Sequence, residues 1–222
     1  MMPRICCGLL LLAVAGCATQ PPPAPPLPSA VLPGSSVAEL AAAIQSDAQR
    51  SDHEIDSKIR RELAARASAD AEACIGLEPQ AAACLYGRAV ALGLNARAHP
   101  TRANEYLTGM LDALTRAEAA DAGYDEAGPA RVKALVLIRA PGWPLGPGDA
   151  EAGLAAARRA VALRPEYPPN QLALAEALAK SGDGAGAAEN YARARAAALA
   201  FPESPDRDEW LHEADQGLKR NQ

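Results

Sequence analysis

Aromatic residues make up only 4% of this 222-residue chain, with a single Phe and two Trp. A core of that composition is built from Ala and Leu packed closely, which favours helices over strands. Sustained β-branched alternation is also missing, so no sheet is expected. No uninterrupted apolar run approaches the roughly 20 residues that cross about 30 Å of hydrocarbon. Positive charge is not in excess: Lys and Arg number 22 against 27 Asp and Glu, for a formal charge of −5. That argues against nucleic acid, whose binding needs clustered Lys and Arg to release counterions. His53, His99 and His212 are scattered, without metal-ligand spacing. There is no Gly-rich phosphate loop, no G-x-S-x-G elbow and no Cys–His pair fit for nucleophilic attack. The many carboxylates read as solvated helix surface. No metal, no cofactor and no catalysis are expected.

The N-terminus divides into the parts of an export signal. Arg4 gives a positive n-region, Ile5 to Ala13 an apolar h-region around Leu9–Leu12, and Val14-Ala15-Gly16 the small residues before a cut. Val14-Ala15-Gly16-Cys17 resembles the bacterial lipobox, in which the Cys takes a diacylglycerol and becomes the first residue after cleavage. The alternative is an ordinary secretory signal cut after an A-x-A-like site. Ala18 behind the Cys, by resemblance to Gram-negative lipoproteins, implies sorting to the outer membrane, with the chain on its periplasmic face. Two or three acyl chains (palmitate and its like) would hold it there, since one chain alone anchors weakly. Losing residues 1–16 removes only Arg4 and makes the chain one unit more negative.

Gln20-Pro21-Pro22-Pro23-Ala24-Pro25-Pro26-Leu27-Pro28 follows, then Pro33-Gly34. Proline fixes φ and lacks an N–H donor, so this stretch joins neither helix nor ladder. It is expected to be a polyproline II spacer at about 3.1 Å per residue, which over some fifteen residues gives about 45 Å. The chain thus reads as a signal segment at 1–16, a lipidated Cys with a Pro-rich tether at 17–34, and a folded domain at 35–222.

Of the five cysteines, Cys6 and Cys7 leave with the signal and Cys17 is the lipid carrier. Cys74 and Cys84 remain, in an oxidising compartment. They flank Gly76-Leu77-Glu78-Pro79, which reads as a helix–helix turn, and two antiparallel helices joined there bring the pair into register for a disulfide. The alternative is two buried thiols packing as small apolar residues.

From Ser36 onward, short helices are punctuated by Pro and Gly. The helices are predicted at about 36–49, 54–76, 80–95, 101–121, 127–139, 149–163, 168–180, 184–198 and 206–219. A period appears within them: Gly148-Asp149 recurs 34 residues on as Gly182-Asp183, Ala160 as Ala194, and Gly153 as Ala187. This resembles the tetratricopeptide repeat over 145–198, with a more degenerate copy over 54–121. The fold class is therefore all-α, a tetratricopeptide-like array of helical hairpins wound into a superhelix. The Ala-dense segment 152–163 is expected to meet protein on both sides, as a helix between two neighbouring pairs does.

One stretch is more distinctive: Gly123-Tyr124-Asp125-Glu126-Ala127-Gly128-Pro129-Ala130-Arg131, then Ala140-Pro141-Gly142-Trp143-Pro144 and Gly146-Pro147-Gly148-Asp149. With Ala160 to Asn170 behind it, the segment resembles the T-component family of TRAP transporters, periplasmic lipoproteins built on such repeats. There a Gly-Gly-Pro-x-Arg-like motif precedes a Pro-Gly-x-Pro turn; here Ala127 replaces the first Gly. The resemblance, over about 70–198, implies a non-catalytic helical protein, often oligomeric. It implies association with a solute-binding protein and an apolar ligand held in a groove or pore.

Five residues are candidates for ligand or partner contact, each with a structural alternative. Arg131 either lines a groove or is buried against carbonyls of the Pro141–Pro147 loop. Trp143 either stacks on a ligand or plugs the superhelix. Tyr86 and Tyr124 either line a concavity or fill the core. Asn170 is expected to cap a turn. Two functions follow: an accessory T-component-like subunit of a TRAP-type uptake system, or a scaffold lipoprotein that recruits envelope machinery through a peptide groove. The first needs an apolar cavity near Arg131 and Trp143, the second a polar groove.

Overall fold

The computed structural model describes residues 34–221. The expected signal segment, Cys17 and nearly all of the Pro-rich tether lie outside the described residues.

Nine α-helices make up the described chain: α1 (Val37–His53), α2 (Ser57–Leu77), α3 (Ala82–Ala98), α4 (Ala103–Ala120), α5 (Tyr124–Arg139), α6 (Ala150–Leu163), α7 (Pro168–Lys180), α8 (Gly184–Ala200) and α9 (Arg207–Arg220). A single 3-10 turn, Pro100–Arg102, precedes α4, and no strand is present among the described residues. Local chemistry sets the ends. Ser36 and Glu39 form a reciprocal capping box at the start of α1. The periodic Gly-Asp pairs turn out to be helix starts. Asp149 accepts from the Ala152 N–H at 2.9 Å and Asp183 from the Gly186 N–H at 2.8 Å, each satisfying an orphan donor of the helix that follows. Pro168 opens α7, where its missing N–H costs nothing. Gly182, at φ +88, carries the chain out of α7 into a left-handed conformation open to glycine.

Successive helices run antiparallel, and α3/α4, α5/α6 and α7/α8 form tight hairpins. The odd-numbered helices also touch each other in order, α1 to α3, α3 to α5, α5 to α7 and α7 to α9, while the even ones touch only their chain neighbours. The odd helices are therefore the inner layer of a superhelical array and the even ones its outer layer. Small residues let the layers approach: a Cβ at Gly153 would come within 2.5 Å of Ile138, and one at Gly217 would run into the Tyr191 ring. α7 is the most enclosed helix, burying Asn170, Gln171, Leu172, Ala173, Leu174, Ala175, Ala177 and Leu178.

The expectation for segment 152–163 is corrected here. α6 is an outer helix that buries only Gly153, Ala156, Ala157 and Ala160, while Ala155 and Ala162 are exposed. Alanine density marked helix propensity, not burial on two sides.

Cys74 and Cys84 sit at the α2–α3 turn, both fully buried and joined as a disulfide with their Cα atoms 5.2 Å apart. They pack with Leu40 of α1. Nearby, Arg66 of α2 forms a bidentate ion pair with the buried Asp47 of α1.

Candidate functional site

The first turn of α5 departs from the ordinary helix. Asp125, Glu126 and Ala127 all have positive φ, at 49, 53 and 62°. Three non-glycine residues in the left-handed region cost roughly 1–2 kcal/mol each, so something must hold them. Arg131, one turn on and only 8% exposed, does so. Its Nη1 donates to the carbonyls of Asp125 (3.2 Å) and Glu126 (3.1 Å) and to Asn170 Oδ1 (3.2 Å), and its Nη2 to Asp125 Oδ2 (2.9 Å). Asn170, on α7 and fully buried, completes the clamp. Its Nδ2 faces the carbonyls of Glu126 (3.0 Å), Ala160 (3.3 Å) and Arg164 (3.0 Å), so one side chain ties the left-handed turn to the end of α6. Gly128 permits the tight path: a Cβ there would lie 2.6 Å from Asp125 Oδ2 and 2.9 Å from the Tyr86 hydroxyl. Ala127, where the resembled motif has a Gly, carries the largest φ of the three.

Arg131 is thus buried, but against carbonyls of its own first turn and not those of the Pro141–Pro147 loop. The sequence offered no sign that residues 125–127 would turn left-handed and present those carbonyls. Tyr86 is core, its phenol held well above the ordinary range by burial. Half-buried Tyr124 meets it edge to face at 5.5 Å.

Trp143 requires a correction. It is neither a plug of the superhelix nor a lining residue of a described cavity, being 90% exposed beside Leu145, itself 77% exposed. The loop closes on itself: the Gly148 N–H donates to the Pro141 carbonyl, that of Leu145 to Gly142, and that of Asp149 to Leu137. Self-bonded at its base, the loop carries its tip away from the helices.

The concavity lies elsewhere. Side chains of α1, α5, α7 and α9 enclose a groove of about 340 Å³. Arg131, Arg139, Leu172 and Trp210 line it, together with Asp52 and His53 of α1, Asp206 at the N-cap of α9, and Glu209 and Glu213 of α9. α9 is placed there by Arg207, which donates to the carbonyls of Ala198 (2.9 Å), Leu199 (3.0 Å) and Phe201 (2.5 Å) that end α8. An aromatic cluster backs it: Trp210 meets Tyr167 at 5.8 Å and Phe201 at 5.4 Å, edge to face, and the Arg131 guanidinium lies 5.1 Å from the centre of the Tyr167 ring.

Charge in the groove is unbalanced. Arg139 is taken by Glu176, at 2.5 Å, and stands 4.0 Å from Glu213; Asp52 is paired with Arg97. Asp206 and Glu209 make no ion pair among the described residues. Burial, reinforced by Glu176 and Glu209, raises the Glu213 carboxyl above the usual range. None of the sequence-chosen candidates besides Arg131 reaches this groove. Its carboxylates, on α1 and on and just before α9, carry no signal in sequence because only the winding of the array sets them around one groove. Among the described residues no group of His, Cys, Asp and Glu is arranged to hold a metal.

No protein-family model and no curated protein matches the sequence. The structure is similar to the crystal structure of a thermophilic TPR protein of Thermus thermophilus, with a TM-score of 0.55 at 19% identity, over 82% of this chain and 92% of that one. The fold is a tetratricopeptide-type helical array. The match, at that identity, concerns architecture: helical hairpins stacked in inner and outer layers, with a concave face.

Proposed function

We propose that this chain is a non-catalytic interaction scaffold, anchored by lipid at Cys17 to the periplasmic face of the outer membrane, which takes a polar segment of a partner envelope protein in its concave groove. The observation that carries this reading is the groove between first and last helices, walled by side chains of four helices and rich in charge. Stacked helix pairs of this kind offer extended concave surfaces suited to that use. The anchor rests on Val14-Ala15-Gly16-Cys17 behind an apolar h-region, followed by a Pro-rich spacer that would hold the array clear of the bilayer.

The T-component role is a narrower form of the same reading, with a TRAP-type solute-binding protein as partner. It is favoured by the Gly128-Pro129-x-Arg131 motif, which organises the centre of the array. It also asks for an apolar cavity beside Arg131, whereas the cavity there has four carboxylates and two arginines in its wall. The polar-groove scaffold is therefore the better supported of the two.

Detergent extraction of the full-length lipidated chain, affinity capture and mass spectrometry test both parts. Asp206→Asn with Glu209→Gln, both exposed positions, should remove specific partners while the chain stays folded. An unchanged set of partners would defeat the groove. Cys17→Ser should move the folded protein to the soluble periplasmic fraction, and its persistence on membranes through high-salt washing would defeat the anchor.

A further inference from the structure

The partner groove does not stop at the start of α9. A larger hollow, of about 850 Å³, continues it along that helix, and the two have Arg139, Glu209 and Glu213 in common. Ala179 and Lys180 at the C-terminal end of α7 also line the larger hollow, with Ile138 of α5 and Tyr191 of α8. Asp206, Glu209, Glu213, Gln216 and Arg220 follow one another at spacings of three or four residues. One stripe of α9 therefore lines the joined cleft from end to end.

Along this stripe the charge changes sign. In the middle it is balanced locally, since Arg139 is held by Glu176 at 2.5 Å and stands 4.0 Å from Glu213. At the start of α9, Asp206 and Glu209 make no ion pair among the described residues, and at its end Lys180 and Arg220 make none either. The uncompensated charge is negative at one end of the cleft and positive at the other. Acidic first turns and basic last turns also suit the helix dipole. The dipole of α9 does not explain why Lys180, from another helix, lines the same hollow as Arg220.

The separation of the two ends selects the size of the occupant. Glu209 and Arg220 lie about 16 Å apart along the helix axis at 1.5 Å per residue. An extended chain covers that distance in about five residues, at about 3.3 Å each. A small ion would meet one end only. The Pro-rich tether of this chain does not fit, because residues 18–34 carry no charged side chain.

We propose that the occupant of the cleft is an extended protein segment of complementary polarity. An Arg or Lys of the segment meets Asp206 and Glu209, and an Asp or Glu about five residues away meets Lys180 and Arg220. The assignment rests on the partner-groove reading and adds to it the charge order of the segment that is recognised.

The full-length chain can be titrated with capped Arg-Ala-Ser-Ala-Ser-Glu, with the same peptide in reverse order, and with the isomer Ala-Ser-Arg-Glu-Ser-Ala, binding being read by ligand-observed NMR. One of the two bipolar peptides should bind roughly threefold or more tightly than the isomer, whose charges cannot reach both ends. Glu209→Lys and Arg220→Glu, both at exposed positions, should each weaken that peptide roughly three- to tenfold. Replacing the peptide's Arg by Glu should restore binding to Glu209→Lys alone, and replacing its Glu by Arg should restore binding to Arg220→Glu alone. Equal binding of the isomer, no binding by any of the peptides, or rescue at fewer than both ends would overturn the assignment. Partner capture separates this failure from that of the groove itself. Lys180→Gln with Arg220→Gln should remove the same partners as Asp206→Asn with Glu209→Gln. If only the acidic pair removes them, the groove stands and its continuation along α9 falls; if neither pair does, both fall. A dimer, seen by sedimentation, that Glu209→Lys breaks would give the cleft to a second copy of the chain and overturn the assignment as well.

Discussion

The α2–α3 turn and the junction of α5, α6 and α7 are both points where the array could come apart, and they are closed by different physics. At the first, two small sulfurs make one covalent bond inside an apolar cluster with Leu40. At the second, Arg131 and Asn170 commit nearly all their polar capacity to the chain itself, holding three carbonyl-bearing segments at once. A disulfide stabilises mainly by restricting the unfolded chain and asks little of its neighbours. A buried polar clamp acts in the folded state, and its loss strands every carbonyl it served. The first joint only holds. The second also decides a path, since without it the backbone at 125–127 would have no reason to turn left-handed.

The difference can be broken open by substitution. Arg131→Met keeps most of the side-chain volume but removes the Arg131 donor from the Asp125 carbonyl and from the buried Asn170 Oδ1, and leaves the Asp125 carboxylate without its partner. The expected loss is about 3–4 kcal/mol, toward the lower end for a broken buried charge pair because Asp125 is partly exposed. Urea unfolding measures it, and a loss below about 1 kcal/mol would mean that the left-handed turn holds itself. Reducing Cys74–Cys84 should cost less. A bridge closing a loop of about ten residues is worth roughly 2–3 kcal/mol. Urea midpoints with and without reductant, together with thiol counting on denatured protein, check this. The comparison sharpens if reduction lowers hydrogen-exchange protection in α1–α3 and leaves α7 untouched, while Arg131→Met does the reverse. Two titratable thiols in protein purified from an oxidising compartment would remove the covalent half of the contrast.

The same two joints mark how far sequence carries. The α2–α3 turn is legible because its cause is local: Gly76-Leu77-Glu78-Pro79 ends a helix, and the spacing of Cys74 and Cys84 does the rest. Helix starts are legible for the same reason, Asp149 and Asp183 recurring as N-caps, and the hairpin repeat follows from their period. Boundaries err where a helix runs on without a breaker, as α1 does to His53, beyond the predicted end at 49. The left-handed turn is not legible, because Asp125, Glu126 and Ala127 have no intrinsic reason to adopt it. Its causes are Arg131 and Asn170 together, and Asn170 stands 44 residues from the Glu126 carbonyl it binds. The groove is hidden more deeply still: α1 and α9 line it together only because of the accumulated winding of the helices between them. For Arg131 the sequence offers a groove or the carbonyls of the Pro141–Pro147 loop, and the carbonyls it meets are those of Asp125 and Glu126.

The smallest expected effect tests a third kind of joint, the α5–α6 loop, which neither bridge nor clamp secures. Trp143 and Leu145 stand on a loop whose backbone bonds are internal to it except where Asp149 returns to Leu137 of α5, and glycine is required where it closes, since a Cβ at Gly148 would collide with the Ala140 carbonyl. A large ring held 90% in solvent contributes almost nothing to the core, so Trp143→Ala should change stability by less than about 0.5 kcal/mol. Thermal melting reads this directly, and a drop of many degrees would show the ring packed against the helices after all. Binding reads something else. Because successive helices alternate in direction, this loop lies on the edge of the array opposite Gly34, where the tether enters. An anchored chain would therefore carry Trp143 away from the bilayer and toward the periplasm. Partner capture that falls on Trp143→Ala with melting unchanged would make the loop a second contact surface, outside the groove. Capture that stays the same would leave the groove alone to account for recognition, and Trp143 would have no part in it.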